Sequence, residues 1–290
     1  MKNALVKRFR AHWKTCRDVI WADPLNRGKR IQFTLQYLYW HAYAKFRRDW
    51  ILTLENGMRT IVKRYPDNDS GEVGIYTRNM DYHEMQFVRK FLPGGTYMID
   101  AGCNVGNRTL ALADRLEGAF LFDAGVTASR RTLEHMQLNR LDPQKFRVIH
   151  KAIGAVPGKV FFTDLGGAST VNKVVTDASS GPVREIELTT IDLELRNFDG
   201  VVSFLKVDVE GHDYAALCGA SHLLRQPSLR IVMFEHNKED ELERILSLFD
   251  VADWDIVTLD KNGKATSDPE LVQKNMNLFA VRREFLYLID

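Results

Sequence analysis

From Thr96 onward, apolar runs of strand length alternate with helical patterns, and this alternation restricts the fold more than any other feature. The runs at Tyr97–Asp100, Ala119–Asp123, Phe146–His150, Val201–Val207, Ile231–Phe234, Trp254–Leu259 and Leu278–Arg282 read as strands. Between them, Arg108–Leu116, Ser129–Leu141 and Tyr214–Leu224 read as helices, and Leu242, Ile245, Leu246 and Phe249 mark a further amphipathic one. Strand–helix alternation requires right-handed crossovers and a mostly parallel α/β sheet covered on both faces. Ligands of such sheets sit beyond the carboxyl ends of the strands. The loops after Asp100, Asp123, His150, Val207 and Phe234 are therefore the places to look.

The first 95 residues read differently. Residues 1–22 and 29–49 are predicted helical, separated by the breaker Asp23-Pro24-Leu25-Asn26-Arg27-Gly28. In the second helix Phe33, Tyr37 and Trp40 recur at helical spacing, and so do Leu35, Tyr39 and Ala42, so it is apolar over a wide arc and needs something to pack against. Ile51–Leu54 and Arg59–Val62 flank an Asn56-Gly57 turn, the pattern of a β-hairpin. A helix over Tyr82–Phe91 then stops at Pro93-Gly94-Gly95. The expected organisation is a helical extension at 1–50 and a domain at 51–290, in which 51–95 leads into a core at 96–290.

Charge separates the same two parts. Residues 1–50 hold 12 Lys+Arg against 3 Asp+Glu, a balance of +9, while the remaining 240 hold 28 against 35, a balance of −7. Such an extension either packs on the acidic body or meets an anionic surface, so peripheral membrane contact through residues 1–50 is a candidate role. No apolar run reaches the roughly 18 residues that a membrane-spanning helix needs, and Met1–Arg17 lacks the apolar centre of an export signal. Three widely spaced cysteines, Cys16, Cys103 and Cys218, form neither a zinc-type cluster nor an even set, which predicts a reduced, cytoplasmic setting.

Chemistry concentrates at the strand ends. In Tyr97-Met-Ile-Asp100-Ala-Gly102-Cys-Asn104-Val-Gly106 a strand ends in an acid and glycines turn into a helix, where a missing Cβ would let a ligand approach the backbone. A dinucleotide turn reads GxGxxG and offers its helix N-terminus to a pyrophosphate, which a carboxylate would oppose. Asp100 suits instead the ammonium and sulfonium of S-adenosylmethionine. Asp123, 23 residues on, ends the next strand and is placed to accept hydrogen bonds from ribose hydroxyls; its plain alternative is a helix cap. In Lys206-Val-Asp208-Val-Glu210-Gly211-His212-Asp213, alternation puts Lys206 and Asp208 on one side, with Glu210 joining them if the chain stays extended. Glu235-His236-Asn237 ends the neighbouring strand. The candidate bases are His236, Asp208 and Glu210, followed by His212. Asp208, Glu235 and Asn237 offer hard oxygen ligands for a possible Mg²⁺, although no dedicated metal motif is present. Gly166–Thr170 reads as a loop able to cover a substrate.

The phrases YMIDAGCNVGNRTL, FDAGVTASRRTLEHMQLN, KAIGAVPGKVFF, TTIDLE, VSFLKVDVEGHDYAALCGA and IVMFEHN occur in the order seen in the FkbM family of S-adenosylmethionine-dependent methyltransferases, which the chain resembles over about residues 51–290. The resemblance implies a Rossmann-like, seven-stranded class I methyltransferase sheet, mostly parallel, with Leu278–Arg282 as an antiparallel last strand. It implies O-methylation of a sugar, polysaccharide precursor or secondary metabolite. By the same resemblance Asp100, Gly102, Asn104 and Gly106 cradle the methionine part, Asp123 holds the ribose, and the turn at Lys151-Ala152-Ile153 borders the adenine. Two positions depart from the family: Asp123-Ala124 stands where Glu-Pro is usual, and Cys103 where Ala is usual. The rival readings are a nicotinamide-dependent oxidoreductase, disfavoured by Asp100 and the missing GxGxxG, and a non-catalytic module that binds anionic surfaces through its N-terminus.

Overall fold

The computed structural model describes residues 10, 12–43, 49–63, 74–75, 81–163, 174–175, 183–236 and 239–289. The loop expected at Gly166–Thr170, Asn237, and much of the first expected helix lie outside them. Residues 12–15 are helical and continue into a π-helix at Cys16–Trp21, which a 3-10 turn at Pro24–Asn26 separates from helix α1, Arg30–Tyr43. Asp23 accepts the Leu25 N–H at 2.9 Å, so the predicted breaker caps its own turn. Strands β1 (Asp49–Thr53) and β2 (Arg59–Lys63) form the antiparallel hairpin around Asn56-Gly57. Helix α2, Tyr82–Arg89, leads into the body.

The body opens with β3 (Thr96–Ala101), α3 (Asn107–Leu112), β4 (Leu116–Phe122), α4 (Val126–Leu138) and β5 (Phe146–Ile149). Short strands β6 (Ala152–Ile153), β7 (Gly158–Thr163), β8 (Val174–Val175) and β9 (Val183–Thr189) follow, then α5 (Ile191–Glu194). The chain continues through β10 (Val202–Val207), α6 (Asp213–Cys218), α7 (Ser221–Leu224), β11 (Ile231–Glu235) and α8 (Glu239–Leu246). Then come β12 (Trp254–Leu259), β13 (Ala265–Thr266), α9 (Pro269–Lys274) and β14 (Asn277–Arg282), followed by a 3-10 helix at Arg283–Leu288.

The main sheet runs β13-β12-β14-β11-β10-β3-β4-β5. From β11 to β5 every pairing is parallel, whereas β14 is antiparallel to both β11 and β12. Seven of its strands coincide with the seven predicted runs; the two-residue β13 is an added hairpin edge that no hydrophobic signal announced. Central strands β3 and β10 are almost wholly buried, as a strand covered on both faces must be. On one face Met98, Leu121, Phe204, Met233 and Phe279 meet Met85 and Val88 of α2 and Leu110 of α3. On the other, Ile99, Phe120, Leu205, Val232 and Ala280 meet α6, α7 and α8 through Ala216, Leu223, Leu242 and Ile245.

A second sheet, ordered β6-β9-β7-β8, branches off immediately after β5. It had no counterpart in the sequence reading, which left this region without elements. The hairpin at the front is tied to the body by His135 of α4. Ile61 N–H donates to His135 Nε2 at 2.9 Å, so the ring proton sits on Nδ1 and is donated to the Val105 carbonyl at 2.7 Å.

Candidate functional site

The loops at the carboxyl ends of β3, β4, β10 and β11 converge, and parallel register decides which side chains meet. Lys206 pairs with Asp100 across β10 and β3, and Val207 with Phe234 across β10 and β11, which sets Asp208 beside Glu235. Lys206 is fully buried within an otherwise apolar strand. Its Nζ donates to the carbonyls of Gly102 at 2.6 Å and Ala101 at 3.2 Å and stands 3.3 Å from Asp100 Oδ1 and 3.5 Å from Asp208 Oδ2. Asp100 is equally buried; its Oδ2 accepts from Thr109 Oγ1 at 2.8 Å, and its Oδ1 has no hydrogen-bond partner.

Arg108, in the first turn of α3, extends the network. It donates to Asp208 Oδ2 at 2.7 Å and to Asp81 Oδ2 at 2.6 Å, and the latter residue, with φ of 56°, precedes α2. Burial acts against the charge on Arg108, but the carboxylates of Asp81, Asp208 and Asp100 push the guanidinium further up. Burial likewise works against Asp208, yet Lys206 and Arg108 hold its carboxyl well below the usual range. Glu235 moves the other way: burial, then the hydrogen bond to Asp208 and its charge, push it up to about 8. The two therefore share a proton at neutral pH, with Glu235 the protonated member.

Neither glycine of the turn leaves its Cβ side open to a ligand, as the sequence reading assumed. Gly102 and Gly106 both have φ of +77°, which only glycine adopts without strain. A Cβ on Gly102 would collide with the Asp208 carbonyl, and one on Gly106 would lie 3.1 Å from Thr132 Cγ2 of α4. The glycines are demanded by packing of the loops on one another. Asn104, between them, has φ of 51°. Asp123 stands at its expected position but does not cap the helix, whose N-cap is Gly125: its Oδ2 accepts the Asn104 N–H at 2.8 Å and its Oδ1 the Gly125 N–H at 2.7 Å, so it ties the two loops together. Burial nevertheless pushes its carboxyl up to about 6. Burial, with Asp123 and Asp100 nearby, pushes the Cys103 thiol up, so it stays protonated and unreactive.

The other expected residues are arranged less simply. Glu210 does not continue the strand, because its φ of 53° turns the chain; its charge still bears on Glu235. Asp213, 2% exposed, opens α6; its Oδ2 accepts the Val209 N–H at 3.4 Å, its Oδ1 has no partner, and burial followed by the Asp208 charge pushes it up to about 7. Burial lowers His212. His236 lies on the opposite side from Glu235 by strand alternation. Its Nε2 is 2.9 Å from the Asn275 carbonyl, which can only accept, so the ring proton sits there and the buried Nδ1 keeps its lone pair without a partner. Ala152 is buried in β6 and pairs with Leu188 of β9, directly past the end of β5.

The possible Mg²⁺ site gains no support. Asp208 and Glu235 are joined by a shared proton, and Lys206 and Arg108 already flank Asp208, so a dication would meet two positive charges. Asn237, the third expected ligand, lies outside the described residues; among these, no group of three His, Cys, Asp or Glu is arranged to hold a metal. Sequence reasoning missed Arg108, Asp81 and Thr109. Arg108 carried a signal, because a cation in the first turn of a helix opposes the helix dipole and needs acids to hold it.

A mostly parallel sheet in which β14 runs antiparallel between β11 and β12, with a glycine turn after β3, has the arrangement of a class I methyltransferase fold. Residues 101–257, more than half of the chain, match the Methyltransferase FkbM domain, and the chain belongs to that family. Among solved structures it is similar to the methyltransferase FkbM from Methylobacillus flagellatus (17% identity, TM-score 0.45), covering 64% of this chain and 43% of that one. It is similar too to the SAM-dependent methyltransferase from Agrobacterium tumefaciens (12% identity, TM-score 0.45, 81% of this chain and 70% of that one). A third is TrmK from M. capricolum in complex with S-adenosylhomocysteine (9% identity, TM-score 0.36, 69% and 66%). The chain thus spans less than half the length of the M. flagellatus structure. A comparison with curated protein sequences finds no match.

Proposed function

We propose that the protein is an S-adenosylmethionine-dependent O-methyltransferase acting on a hydroxyl of a sugar, polysaccharide precursor or secondary metabolite. We also propose the division into a basic helical extension at 1–50 and a methyltransferase domain at 51–290. One observation carries the cofactor reading: an excess of acid surrounds the glycine turn. Asp100, Asp123, Asp208, Glu210, Asp213 and Glu235 form a coupled set whose internal cations are Lys206 and Arg108, and three of the acids are pushed up to between about 6 and about 8. A cationic ligand relieves that excess, whereas a pyrophosphate would find no compensating charge.

The family resemblance supplies an assignment of the cofactor's parts to residues of these loops. Asp100, Gly102, Asn104 and Gly106 would hold its methionine part, Asp123 its ribose, and the β5–β6 junction at Ala152 would border its adenine. When bound, the cofactor supplies a methyl group activated by its sulfonium. The protein's task is then to align an acceptor oxygen in line with that methyl and exclude water, which can lower the barrier by about 7–11 kcal/mol. Asp208 is a weak base, held ionised by two cations, and Glu235 is protonated at neutral pH. His236 is the third candidate: with its proton fixed on Nε2, Nδ1 would take the hydroxyl proton of an acceptor that enters on the side of the strand end away from Glu235 and reaches this buried nitrogen. Asp208 and Glu235 would brace the two loops from the other side, with Glu210 beside Glu235.

Calorimetric titration with S-adenosylmethionine and with NAD tests the reading. Uptake of the first alone is expected, and Asp123→Ala should weaken it by about 10–100-fold, the loss of a charged hydrogen bond. Uptake of NAD, or of neither ligand, would overturn it.

A further inference from the structure

Helix α1 is apolar on two opposite faces, and its neighbours in the N-terminal part and the hairpin cover only one. Phe33 and Tyr37 are buried against Ile20, and Trp40 against Val62 and Ile75. On the far side Ile31, Leu35, Leu38 and Tyr39 are each more than half exposed. Their spacing of four, three and one residues lines them up on a single arc, continued by exposed Ala42 and bordered by Gln32. A solvated helix face normally carries charge, and this one carries none.

The rim of the stripe is aromatic and basic. Trp21, half exposed, donates its Nε1–H to Thr34 Oγ1 of the helix at 3.0 Å, and the Arg30 guanidinium sits 6.0 Å from its ring centre. Arg10, Lys14 and Arg27 are exposed on the same N-terminal part, whose balance is +9. Aliphatic residues flanked by an indole, a tyrosine and clustered cations match the boundary between lipid headgroups and acyl chains. No helix among the described residues is long and apolar enough to cross a membrane, so the match is to a surface.

We propose that the exposed face of α1 docks on an anionic lipid bilayer, with Ile31, Leu35, Leu38 and Tyr39 entering the interface and the surrounding Lys and Arg contacting headgroups. The charge separates this occupant from a second copy of the chain, since two +9 segments brought face to face would repel. The inference is independent of the methyl donor and of the acceptor.

Co-sedimentation of the full chain with phosphatidylcholine vesicles, and with vesicles that also contain phosphatidylglycerol, provides the test. Binding is expected only to the second kind and should weaken as salt rises. Leu35→Glu with Leu38→Glu should reduce it more than about tenfold. Lys14→Glu with Arg27→Glu should reduce it by about a factor of five for each cation removed. Thermal unfolding of each variant checks that the exposed changes leave the fold intact, and the salt series on the unaltered chain stands without them. Equal binding to both vesicle types, no binding to either, or full binding by the leucine variant would overturn the proposal. So would a dimer in sedimentation velocity that the leucine variant converts to monomer, because the stripe would then be a self-interface.

Discussion

Lys206 Nζ stands 3.3 Å from Asp100 Oδ1 with neither side chain reaching solvent. The ammonium also holds the Gly102 and Ala101 carbonyls, so one side chain in β10 fixes the acid at the end of β3 and the turn that follows. Removing one partner of a buried pair leaves the other charge uncompensated, at a cost of about 3–5 kcal/mol. Lys206→Met keeps the length of the side chain and loses its charge, so urea unfolding should register that loss. An unchanged midpoint would mean that the buried acid does not depend on the lysine.

The two glycines of the turn predict different penalties. Both require the left-handed backbone, so alanine at either should cost about 1–2 kcal/mol in strain. At Gly106 the new methyl meets side-chain atoms only, Thr132 Cγ2 at 3.1 Å and the flexible end of Met136 at 3.4 Å, so a shift of a few tenths of an ångström relieves it. At Gly102 it meets the backbone of Asp208, which cannot, adding about 1–3 kcal/mol of overpacking. Thermal unfolding should therefore rank Gly102→Ala below Gly106→Ala, and the reverse order would contradict the packing described for β3 and β10.

For His236 the prediction is kinetic. His236→Ala should lower kcat by about 10²–10⁴-fold, the contribution of a positioned base, with little change in cofactor affinity. His236→Gln, which can still donate to the Asn275 carbonyl, should be as slow as the alanine variant if Nδ1 takes the proton. Recovery of activity by glutamine would assign the histidine a purely structural role.

Proton linkage gives a further check. Asp123, Asp213 and Glu235 have folded values of about 6, 7 and 8, above the carboxylate range of an unfolded chain. The native state therefore retains protons that the unfolded chain has released, and the contribution of these groups to stability is full at low pH and falls as pH rises from about 4 to about 8. Affinity for a cationic ligand should move oppositely, rising from about pH 6 to about pH 8 as the carboxyls ionise. Titrations in buffers of different ionisation enthalpy should show proton release on binding; proton uptake would exclude a cation at this position.

Seven strands of the main sheet were legible because each is a compact apolar run, and the two-residue β13 was not. The second sheet was not. In β7 only Thr163 is buried, and in β9 only Ile186 and Thr189, so these strands carry no continuous apolar pattern. Asp100, Asp123, Lys206 and Asp208 could be picked out as charges at the ends of apolar strands. What they contact could not, since the Arg108 bridge joins residues 27 and 100 positions away in sequence. Nor could the Asn275 carbonyl that fixes the His236 ring proton, which lies 39 residues further along the chain.

Strand β14 is threaded between β11 and β12, although it follows both in the chain. During synthesis β11 must wait with one edge unpaired until residues 277–282 have left the ribosome, and β12 has no place in the sheet before then. Half of the sheet can form early around β3, β4 and β5; the other half is a late, nearly simultaneous event. A chain interrupted shortly before Asn277 would present the apolar edge of β11 to its neighbours, which makes stalled or truncated products the expected source of aggregation during expression.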